Sequence, residues 1–447
     1  MYNGSMLNLF TQNYLTRGFW GDEAWTAGIS RLPIKEIITI TGQDFHPPFY
    51  YFLVHFFGGL FDFQEVPVRL ISTFYFLLIP IIVYCFTQMF WATKTRPSRL
   101  ASLVSAVLVL LSPILFTYAF EARSYALLAF ESILSAYIFW RAKDEPRWTW
   151  RILYFLLGAI MVYTHYYAWF ILASHAIYLL LFERKKILPL LLPALGILAV
   201  QLPWFPTLFG QTNSVKGSYW IGPINSRTHL EFFLRVTGGD VTTDWQKPLA
   251  YLVGLTVLFG FLYQLSRKKL APQHKFLLTW LLVPTLIPSL ISFVFMPVFF
   301  YRYLIFSAIP LTILVVQTVL DLDIKHRLRN LLLIGLAVSI AYLQIRVDHK
   351  IFAQYPRTMR EAVNEMYETK QAGDGPVYTV LPSFAEVLYY VGEKDQIIVI
   401  PEGLVQFSGK SLLDAYVRLG KVIIAEPIES QYWRLDPGPT TTLIDHN

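Results

Sequence analysis

Residues 100–140 read LASLVSAVLVLLSPILFTYAFEARSYALLAFESILSAYIFW, and this stretch decides the fold class. Two long apolar arms flank a short segment that carries Glu121 and Arg123. A helix needs roughly 17 to 25 mainly apolar residues to cross the hydrocarbon core of a bilayer. The stretch therefore predicts a helical hairpin inside a membrane, with Glu121 and Arg123 at the turn.

The composition of the whole chain agrees with a membrane protein. Of 447 residues, 55% are hydrophobic and 15% are charged, whereas a soluble domain carries about 25% charged residues. The net charge of +7 comes from 37 Lys and Arg against 30 Asp and Glu. The single cysteine, Cys85, lies in an apolar run, which excludes an intrachain disulfide framework, a thiolate metal cluster and a thiol redox pair.

Further apolar runs follow along the chain and are separated by short basic connectors. The positive-inside bias predicts that such connectors are cytoplasmic, so the surplus charge indicates topology and gives no support to nucleic-acid binding. The pattern predicts about ten membrane spans, with both chain ends outside and an outer polar loop of about forty residues after residue 209. The runs are 68–92, 100–140, 152–182, 187–209, 249–266, 276–295, 304–320 and 331–345. The connectors hold Lys94, Arg96 and Arg99, then Arg141, Lys143, Arg147 and Arg151, then Arg184, Lys185 and Lys186, then Arg267, Lys268 and Lys269, and finally Lys325, Arg327 and Arg329.

The region before the first run is predicted to be extracytoplasmic as well. Residues 47–61 are apolar and aromatic, but about fifteen residues are too few for a span, and a crossing there would break the alternation. We expect an amphipathic helix in the outer interface, so that residues 1–66 form an outer loop with juxtamembrane helices. Because no apolar span precedes this translocated region, we also expect that a first transmembrane helix is missing.

The composition changes after residue 345, and residues 346–447 are predicted to form a small extracytoplasmic α/β domain. Strand-like and helical patterns alternate there, which is typical of a parallel sheet. A Gly-x-Gly-x-x-Gly or Walker pattern is absent from the sequence, so nucleotide binding is not predicted. The strand-like runs are 377–381, 396–400 and 421–425, and the helical patterns are 357–370, 384–391 and 411–419.

Candidate chemistry gathers on the outer face. Asp22 and Glu23 precede a helical pattern, and an ionised carboxylate there fits a general base for an incoming hydroxyl. The same pair is also explained as a helix N-terminus, where acidic residues complement the helix dipole. His46 stands before Pro47 and Pro48 and fits a phosphate or metal ligand; a surface histidine in a turn is the alternative.

The outer turns of the hairpins add cations. Arg123 suits a phosphate, although a structural Glu121–Arg123 ion pair explains the same residues. Arg302 fits a second phosphate cation and equally a snorkelling anchor. His165, between two spans, is explained either as part of the site or as a packed aromatic cluster. All of these residues are predicted at the extracytoplasmic ends of the spans, which we call one rim of the bundle. Their shared position predicts a site at which a lipid-anchored phosphate is the leaving group.

The order of these motifs resembles the GT-C glycosyltransferases, and within them the PMT/ArnT-like superfamily, which includes protein O-mannosyltransferases and aminoarabinose transferases. The similarity is strongest over residues 21–181, and 346–447 agrees with an extracytoplasmic tail. The motifs are Asp22-Glu23, His46-Pro47-Pro48-Phe49-Tyr50-Tyr51, Arg69-Leu70, Glu121-Ala122-Arg123-Ser124-Tyr125-Ala126-Leu127, Thr164-His165-Tyr166-Tyr167 and Arg302-Tyr303-Leu304.

The resemblance implies roles for individual residues. Asp22 matches the catalytic base, and Glu23 beside it, also counted as catalytic, would orient Asp22 or the acceptor. His46 occupies the position at which aminoarabinose transferases have a phosphate-binding lysine, which argues against lipid A modification. Trp25 stands where some relatives have an arginine, so the phosphate contact of that arginine has no counterpart at this position. The resemblance assigns donor binding to His46, Arg123, Arg302 and Tyr303. Supporting roles in the site are assigned to Glu121, Tyr125 and His165.

The resemblance implies an inverting enzyme of the plasma membrane. It would move mannose or another hexose or pentose from a polyprenyl-phosphate carrier to an extracytoplasmic glycan, lipid or protein. The outer loop of about forty residues is too short for the lumenal insert of eukaryotic protein mannosyltransferases. We expect no required cofactor, since no ligand spacing demands a metal. A flippase for a lipid-linked precursor and an inactive envelope scaffold are the alternatives.

Overall fold

A computed structural model describes residues 14–92, 99–215, 221–267, 270–352, 357–371, 374–402, 404, 409–428 and 431–445. Within these ranges, a bundle of apolar helices carries a small mixed α/β unit at one end, so the predicted fold class is confirmed. Lys94, Arg96, Lys268 and Lys269, which belong to the predicted basic connectors, lie outside the described residues.

Three short helices precede the bundle. The first begins with acidic residues in its opening turn, and the third begins directly after Pro47 and Pro48, whose rings fix the backbone before a helix. The third helix exposes Phe56 and Phe57, with more than half of each side chain accessible. A helix thus occupies most of the interval 47–61, and its location in the membrane interface stays a prediction. The helices are α1 (Gly21–Ser30), α2 (Ile34–Gln43) and α3 (Phe49–Gly59).

Each predicted span coincides with a helical segment of the bundle. The first arm of the hairpin over 100–140 is bent by 55° where Pro113 begins a new helix. A 3-10 segment, Tyr301–Ser307, leads into α15. The helices are α4 (Glu65–Phe90), α5 (Arg99–Leu110), α6 (Pro113–Ala119), α7 (Tyr125–Asp144), α8 (Trp148–Thr164), α9 (Ala168–Phe182), α10 (Ile187–Gln201), α11 (Phe205–Val215), α12 (Thr228–Gly238), α13 (Gln246–Ser266), α14 (Pro272–Val294), α15 (Ala308–Leu320) and α16 (His326–Phe352).

The described helices differ in how clearly they span a membrane. Six segments are long and apolar enough, and the bent α5–α6 pair makes a seventh. Helices α8 and α9 are apolar but shorter, with 17 and 15 residues. Helix α7 lies in the centre, where its buried Glu131 accepts a hydrogen bond from Thr164 at 2.8 Å. The chain is therefore a polytopic membrane protein.

The basic connectors meet at one end of the bundle, as the alternation predicts. Lys186 lies 3.1 Å from Asp144, which joins two of these connectors. Arg267 lies 2.7 Å from Asp323 and joins two more. Gln273 donates to the carbonyl of Phe90 at 3.2 Å and adds the remaining connector. The Lys275 ammonium lies 5.0 Å from the centre of the Phe182 ring and links the two groups. The turns before α7 and before α15 consequently lie at the opposite end, together with the sheet.

The C-terminal part forms a five-stranded sheet in the order β3-β2-β1-β4-β5. Strands β3, β2, β1 and β4 run parallel to one another, with Val377 paired to Ile397 and to Trp433, and β5 runs antiparallel to β4. The three predicted strands are confirmed, and the β4–β5 hairpin was not predicted. The elements are α17 (Met359–Thr369), β1 (Val377–Thr379), α18 (Phe384–Val391), β2 (Ile397–Val399), α19 (Lys410–Arg418), β3 (Val422–Ile424), β4 (Gln431–Asp436) and β5 (Thr440–Asp445).

Two further differences from the sequence-based expectations concern boundaries. The outer polar loop contains helix α12, and the last span continues to Phe352 instead of ending near residue 345. A second hydrophobic core joins α1–α3 to α17–α19. Across it, the Tyr416 hydroxyl donates to the carbonyl of Gly28 at 3.1 Å. The N-terminal helices and the C-terminal unit therefore share one core.

Candidate functional site

A cavity of about 570 Å³ lies where the bundle, the N-terminal helices and the C-terminal unit meet. We call it the central cavity. Its walls come from α1, from the segment before α3, from the turns before α7 and α15, and from the start of α18. The lining side chains that matter below are Trp20, Asp22, Trp25, Asp44, His46, Arg123, Tyr125, Arg302, Tyr303, Leu381, Phe384 and Glu386.

Asp22 stands in the first turn of α1, between two arginines. Its Oδ2 lies 3.8 Å from a guanidinium nitrogen of Arg123 and 3.6 Å from one of Arg302. The carboxylate is 38% exposed, whereas both arginine side chains are largely buried. Three residues that are far apart in the sequence thus meet in one place, and the predicted convergence of carboxylate and cations on one rim is found.

Glu23, which is predicted to orient Asp22 or the acceptor, does not share this position. Successive residues of a helix point about 100° apart, so Glu23 turns into the core and is fully buried. Its two oxygens bind Arg69, and Oε1 also accepts the backbone N–H of Ala122 at 3.0 Å. Burial alone would raise its pKa, but the charge of Arg69, that of Arg17 and these hydrogen bonds lower it.

His46 contacts Arg123 within the cavity wall. A terminal nitrogen of Arg123 lies 3.3 Å from His46 Nε2. Because arginine only donates, Nε2 is the acceptor and Nδ1 carries the proton. Burial, followed by the charge of Arg123, lowers the pKa of His46 well below its usual value. His46 is therefore a neutral hydrogen-bond donor, and not a third cation; its Nδ1 has no partner among the described residues.

His165 lies behind His46 in an aromatic group. Its ring centroid is 5.9 Å from that of His46 and 4.9 Å from that of Tyr303. Its Nδ1 accepts the backbone N–H of Tyr167 at 3.1 Å. Burial, reinforced by Arg123, lowers its pKa to about 3. His165 does not line the central cavity, so the aromatic-cluster alternative describes its position.

A smaller cavity of about 180 Å³ adjoins the central one and shares Phe45, His46 and Tyr303 with it. We call it the side cavity. His165 lines it, and most of the remaining lining is apolar, including Phe170, Leu208, Ile291, Met296 and Val298. A polar cavity with paired cations therefore continues into an apolar one at His46.

Arg302 is held by a network that the sequence did not indicate. Its Nε donates to the Tyr118 hydroxyl at 3.2 Å. Tyr118 and Tyr301 both donate to Oδ2 of Asp240, at 2.9 and 3.0 Å. Asp240 follows α12 and also pairs with Arg235. The outer loop thus fixes a cation of the site, although no local pattern marks Asp240 for this position.

Arg123 is flanked by Glu121, in the turn before α7, and by Tyr125, the first residue of α7. Tyr125 is buried with its ring 5.7 Å from the Arg123 guanidinium carbon. Glu121 is buried outside the lining, and its Oε2 has no hydrogen-bond partner among the described residues. Burial raises its pKa to about 7, against the charges of Arg17 and Arg302. Within the described residues Arg123 pairs with Asp22, and the alternative Glu121–Arg123 ion pair is not formed.

Two acidic residues of the cavity were not among the predicted site residues. Asp44 is buried, and burial raises its pKa to about 7, an effect that Arg123 opposes and Asp22 increases. Glu386 reaches the cavity from α18, and burial together with the charges of Asp22 and Glu23 raises its pKa to about 7. The position of Asp44 two residues before His46 was a usable signal. Glu386 has no comparable signal in the sequence, because only tertiary packing brings it to the central cavity.

Metal binding was left open by the sequence. Over the described ranges, no group of three or more His, Cys, Asp or Glu side chains is arranged to hold a metal ion.

Residues 45–209 match the sequence profile of the family described as dolichyl-phosphate-mannose-protein mannosyltransferase. This part of the chain carries His46, Arg123 and His165. None of the curated proteins compared with the chain matches its sequence.

Solved structures are similar over nearly the whole chain. Apo ArnT from Cupriavidus metallidurans aligns with a TM-score of 0.61 and 14% identity, over 96% of this chain and 90% of ArnT. ArnT bound to undecaprenyl phosphate aligns with a TM-score of 0.65 and 13% identity, over 96% and 91%. The oligosaccharyltransferase AglB from Archaeoglobus fulgidus, in complex with an inhibitory peptide and a dolichol-phosphate, gives 0.50 and 11%, over 86% and 62%. Together with the profile match, these likenesses confirm the resemblance to the GT-C fold of PMT/ArnT-like proteins.

Proposed function

We propose that this chain is an inverting glycosyltransferase that moves a sugar from a polyprenyl-phosphate carrier to an acceptor hydroxyl on the extracytoplasmic side of the plasma membrane. The observation that carries the proposal is the Asp22 carboxylate between the guanidinium groups of Arg123 and Arg302, at 3.8 and 3.6 Å, in the central cavity. The fold of ArnT, solved with undecaprenyl phosphate, and the dolichyl-phosphate-mannose family profile support it.

The donor phosphate binds at the two arginines. Guanidinium groups suit phosphate oxygens because they offer several N–H donors in a plane. The Nδ1–H of His46, which has no partner among the described residues, supplies a neutral donor beside them. The first isoprene units of the carrier then enter the apolar side cavity, which begins at His46 and Tyr303.

The reaction is a single displacement. The acceptor oxygen attacks the anomeric carbon while the bond from that carbon to the phosphate oxygen breaks, and the electron pair of this bond leaves with the polyprenyl phosphate. Asp22 takes the proton of the acceptor hydroxyl. Arg123 and Arg302 stabilise the negative charge that grows on the departing phosphate. Attack opposite the leaving group inverts the anomeric configuration.

The remaining residues position or support the groups that carry out the reaction. Glu23 is a positioning residue, since its buried pair with Arg69 fixes α1 and thereby Asp22. Tyr125 and Tyr303 line the cavity beside the arginines, and Glu121 and His165 support the turn and the aromatic wall. The sugar is mannose or another hexose or pentose, and the acceptor is a glycan, lipid or protein.

The test is transfer activity of the purified protein with a panel of polyprenyl-phosphate sugars, read as release of polyprenyl phosphate. Asp22→Asn should abolish release while membrane insertion and thermal stability stay unchanged. Asp62→Asn is the matched control, because Asp62 is exposed on the turn after α3 and asparagine tolerates its positive φ of 52°. Retained activity of Asp22→Asn would overturn the assignment.

A further inference from the structure

The central cavity has one wall that the donor site does not use. It is formed by the start of α18 and the residues just before it, among them Leu381, Phe384 and Glu386. Glu386 is partly buried in the first turn of α18. Within the described part of the chain, its carboxylate forms no hydrogen bond or ion pair, although it lies in the field of Asp22. An unpaired carboxylate in a cavity wall is available to a ligand.

Trp25 lines the same cavity from α1. Its side chain is 6% exposed and packs edge-on against Tyr51, with ring centroids 5.2 Å apart. The indole N–H is buried and has no acceptor among the described residues. Buried indole N–H groups normally find a hydrogen-bond partner. Trp25 therefore contributes a second polar group without a partner, carried by the flat apolar indole ring itself.

Helix α18 is fixed in place, so Glu386 does not sit on a loose loop. The Tyr390 hydroxyl accepts the backbone N–H of Phe19 at 2.5 Å and donates to Glu65 at 3.1 Å. The Tyr389 hydroxyl donates to the carbonyl of Phe63 at 3.0 Å. The hydrogen bonds of these two consecutive tyrosines thus fix α18 against the N-terminal part of the chain. They thereby fix the position of Glu386 relative to Asp22.

We propose that Glu386 and Trp25 form the acceptor subsite, and that the part of the acceptor entering it is an uncharged carbohydrate. The inference rests on the proposed function. Inverting displacement needs the acceptor on the side of the anomeric carbon opposite the departing phosphate. The reacting hydroxyl meets Asp22, and the rest of the acceptor therefore extends away from Arg123 and Arg302. Carboxylates accept hydrogen bonds from sugar hydroxyls, and aromatic rings pack against the apolar faces of sugar rings.

The charge of this wall selects against anionic acceptors. Glu386 and Asp22 face the cavity, and Asp44 adds a third carboxyl to its lining. A phosphate or carboxylate on the reacting end of the acceptor would lie among these groups without a cation, because the arginines are engaged with the donor. Unpaired like charges in a partly buried site cost binding energy. The subsite therefore favours neutral polyhydroxyl groups.

The test uses the chain of 447 residues in detergent at pH 8, with the polyprenyl-phosphate sugars above. The three acceptor probes are neutral octyl glycosides, the same glycosides phosphorylated at a ring hydroxyl, and a peptide rich in serine and threonine. Wild type should transfer to a neutral glycoside. Glu386→Ala should raise the KM for that glycoside by about tenfold to a hundredfold, the range for losing a hydrogen bond to a charged group. Undecaprenyl phosphate binding should stay within about twofold of wild type, well below that loss.

Two further variants sharpen the test. At pH 8, above its pKa of about 7, Glu386 is mostly ionised. Glu386→Gln keeps the shape and removes that charge, so at this pH the preference for neutral over phosphorylated glycosides should fall by about tenfold, the loss of one nearby like charge. Glu393→Ala is the matched control, because Glu393 is on the same unit and its side chain is 90% exposed. An unchanged KM in Glu386→Ala, or a wild-type preference for the peptide or the phosphorylated glycoside, would overturn the subsite. Failure of wild type to release polyprenyl phosphate from any donor would instead overturn the proposed function.

Discussion

Arg69 binds both carboxylate oxygens of Glu23, with Nε 2.8 Å from Oε1 and a terminal nitrogen 2.5 Å from Oε2. Both side chains are fully buried. Arg69 also donates to the carbonyls of Leu15, Arg17 and Gly18 at 2.9, 2.6 and 3.1 Å. One arginine of α4 therefore organises the segment that leads into α1, and it separates the neighbouring acids: Glu23 faces the core and Asp22 faces the cavity.

Glu23→Gln should lower the free energy of unfolding of the protein, and not only its transfer activity. Removing the carboxylate leaves the Arg69 charge buried without its partner, which typically costs about 3–5 kcal/mol. The expected result is a lower melting temperature and poor recovery from the membrane, measured by thermal unfolding in detergent. A double change, Glu23→Gln with Arg69→Met, should recover part of the loss because no uncompensated charge is left.

Asp22→Asn provides the matched comparison for this prediction. Asp22 is part-exposed and lies 3.6 Å or more from its two arginines, so its loss should leave the melting temperature within a degree or two of wild type. A stable but inactive Glu23→Gln protein would contradict the positioning role and would return Glu23 to the chemistry.

Asp240→Asn should weaken donor binding although Asp240 does not line the cavity. The carboxylate accepts hydrogen bonds from Tyr118 and Tyr301, and Tyr118 in turn accepts one from Arg302. An amide there loses the charge that holds this network, so Arg302 becomes less well oriented. The affinity for undecaprenyl phosphate should fall by about threefold to tenfold, and by more in Arg302→Ala.

The measurement for Asp240 is titration of the purified protein with undecaprenyl phosphate. Asp244→Asn serves as its control, because Asp244 is an exposed residue of the same loop. An affinity in Asp240→Asn equal to that of the control would show that Arg302 is oriented without this network.

Much of the site was predictable because hydropathy and charge fix which chain segments end at the same side of the bundle. Asp22, His46, Arg123 and Arg302 lie at such ends, and they do converge. The separation of Asp22 from Glu23 was not predictable in the same way. It depends on a buried arginine in the first turns of α4, and a local pattern of two adjacent acids carries no information about that partner.

Long-range packing accounts for the other omissions. Glu386 reaches the cavity only because α18 packs against α1. The sequence of residues 384–391 contains no pattern that indicates a site. The β4–β5 hairpin was missed because its strands mix polar and apolar residues, QYWRLD and TTTLID, without a hydrophobic run. Helix α12 was missed for the related reason that its sequence is short and polar enough to suit a loop.

The pH dependence of stability should differ in sign between Asp44 and His46 variants. Burial raises the pKa of Asp44 to about 7, against about 3.9 when unfolded. Its neutral form therefore favours the folded state below about pH 4, and this contribution is lost as the pH rises through 7. Asp44→Asn should thus gain melting temperature relative to wild type between pH 5 and pH 8, measured across a buffer series.

His46 should show the opposite trend. Its pKa is lowered in the folded protein, so the unfolded chain binds more protons below about pH 6.5 and wild type loses stability there. His46→Gln should therefore gain relative to wild type as the pH falls from 7 to 5. Differences that do not change with pH in either variant would contradict these assignments, and Asp62→Asn, exposed on the turn after α3, should follow wild type throughout.

Gly18→Ala should loosen the contact between the N-terminal segment and the C-terminal unit. A Cβ on Gly18 would lie 2.1 Å from Oγ1 and 2.8 Å from Cβ of Thr358. Thr358 has little freedom to move, because it forms the capping box of α17 with Glu361. Overpacking of this kind costs typically about 1–3 kcal/mol, which should appear as a lower melting temperature and faster proteolysis after residue 352.

The same chain supplies both a control and a rescue for Gly18→Ala. A Cβ on Gly21 would meet no atom within 4 Å, so Gly21→Ala should be neutral or slightly stabilising within a helix. Thr358→Gly removes both clashing atoms and costs a helix N-cap only a few tenths of a kcal/mol. If the clash is the cause, Gly18→Ala with Thr358→Gly should recover most of the lost stability; equal losses in the single and double variants would contradict the clash with Thr358 as the cause.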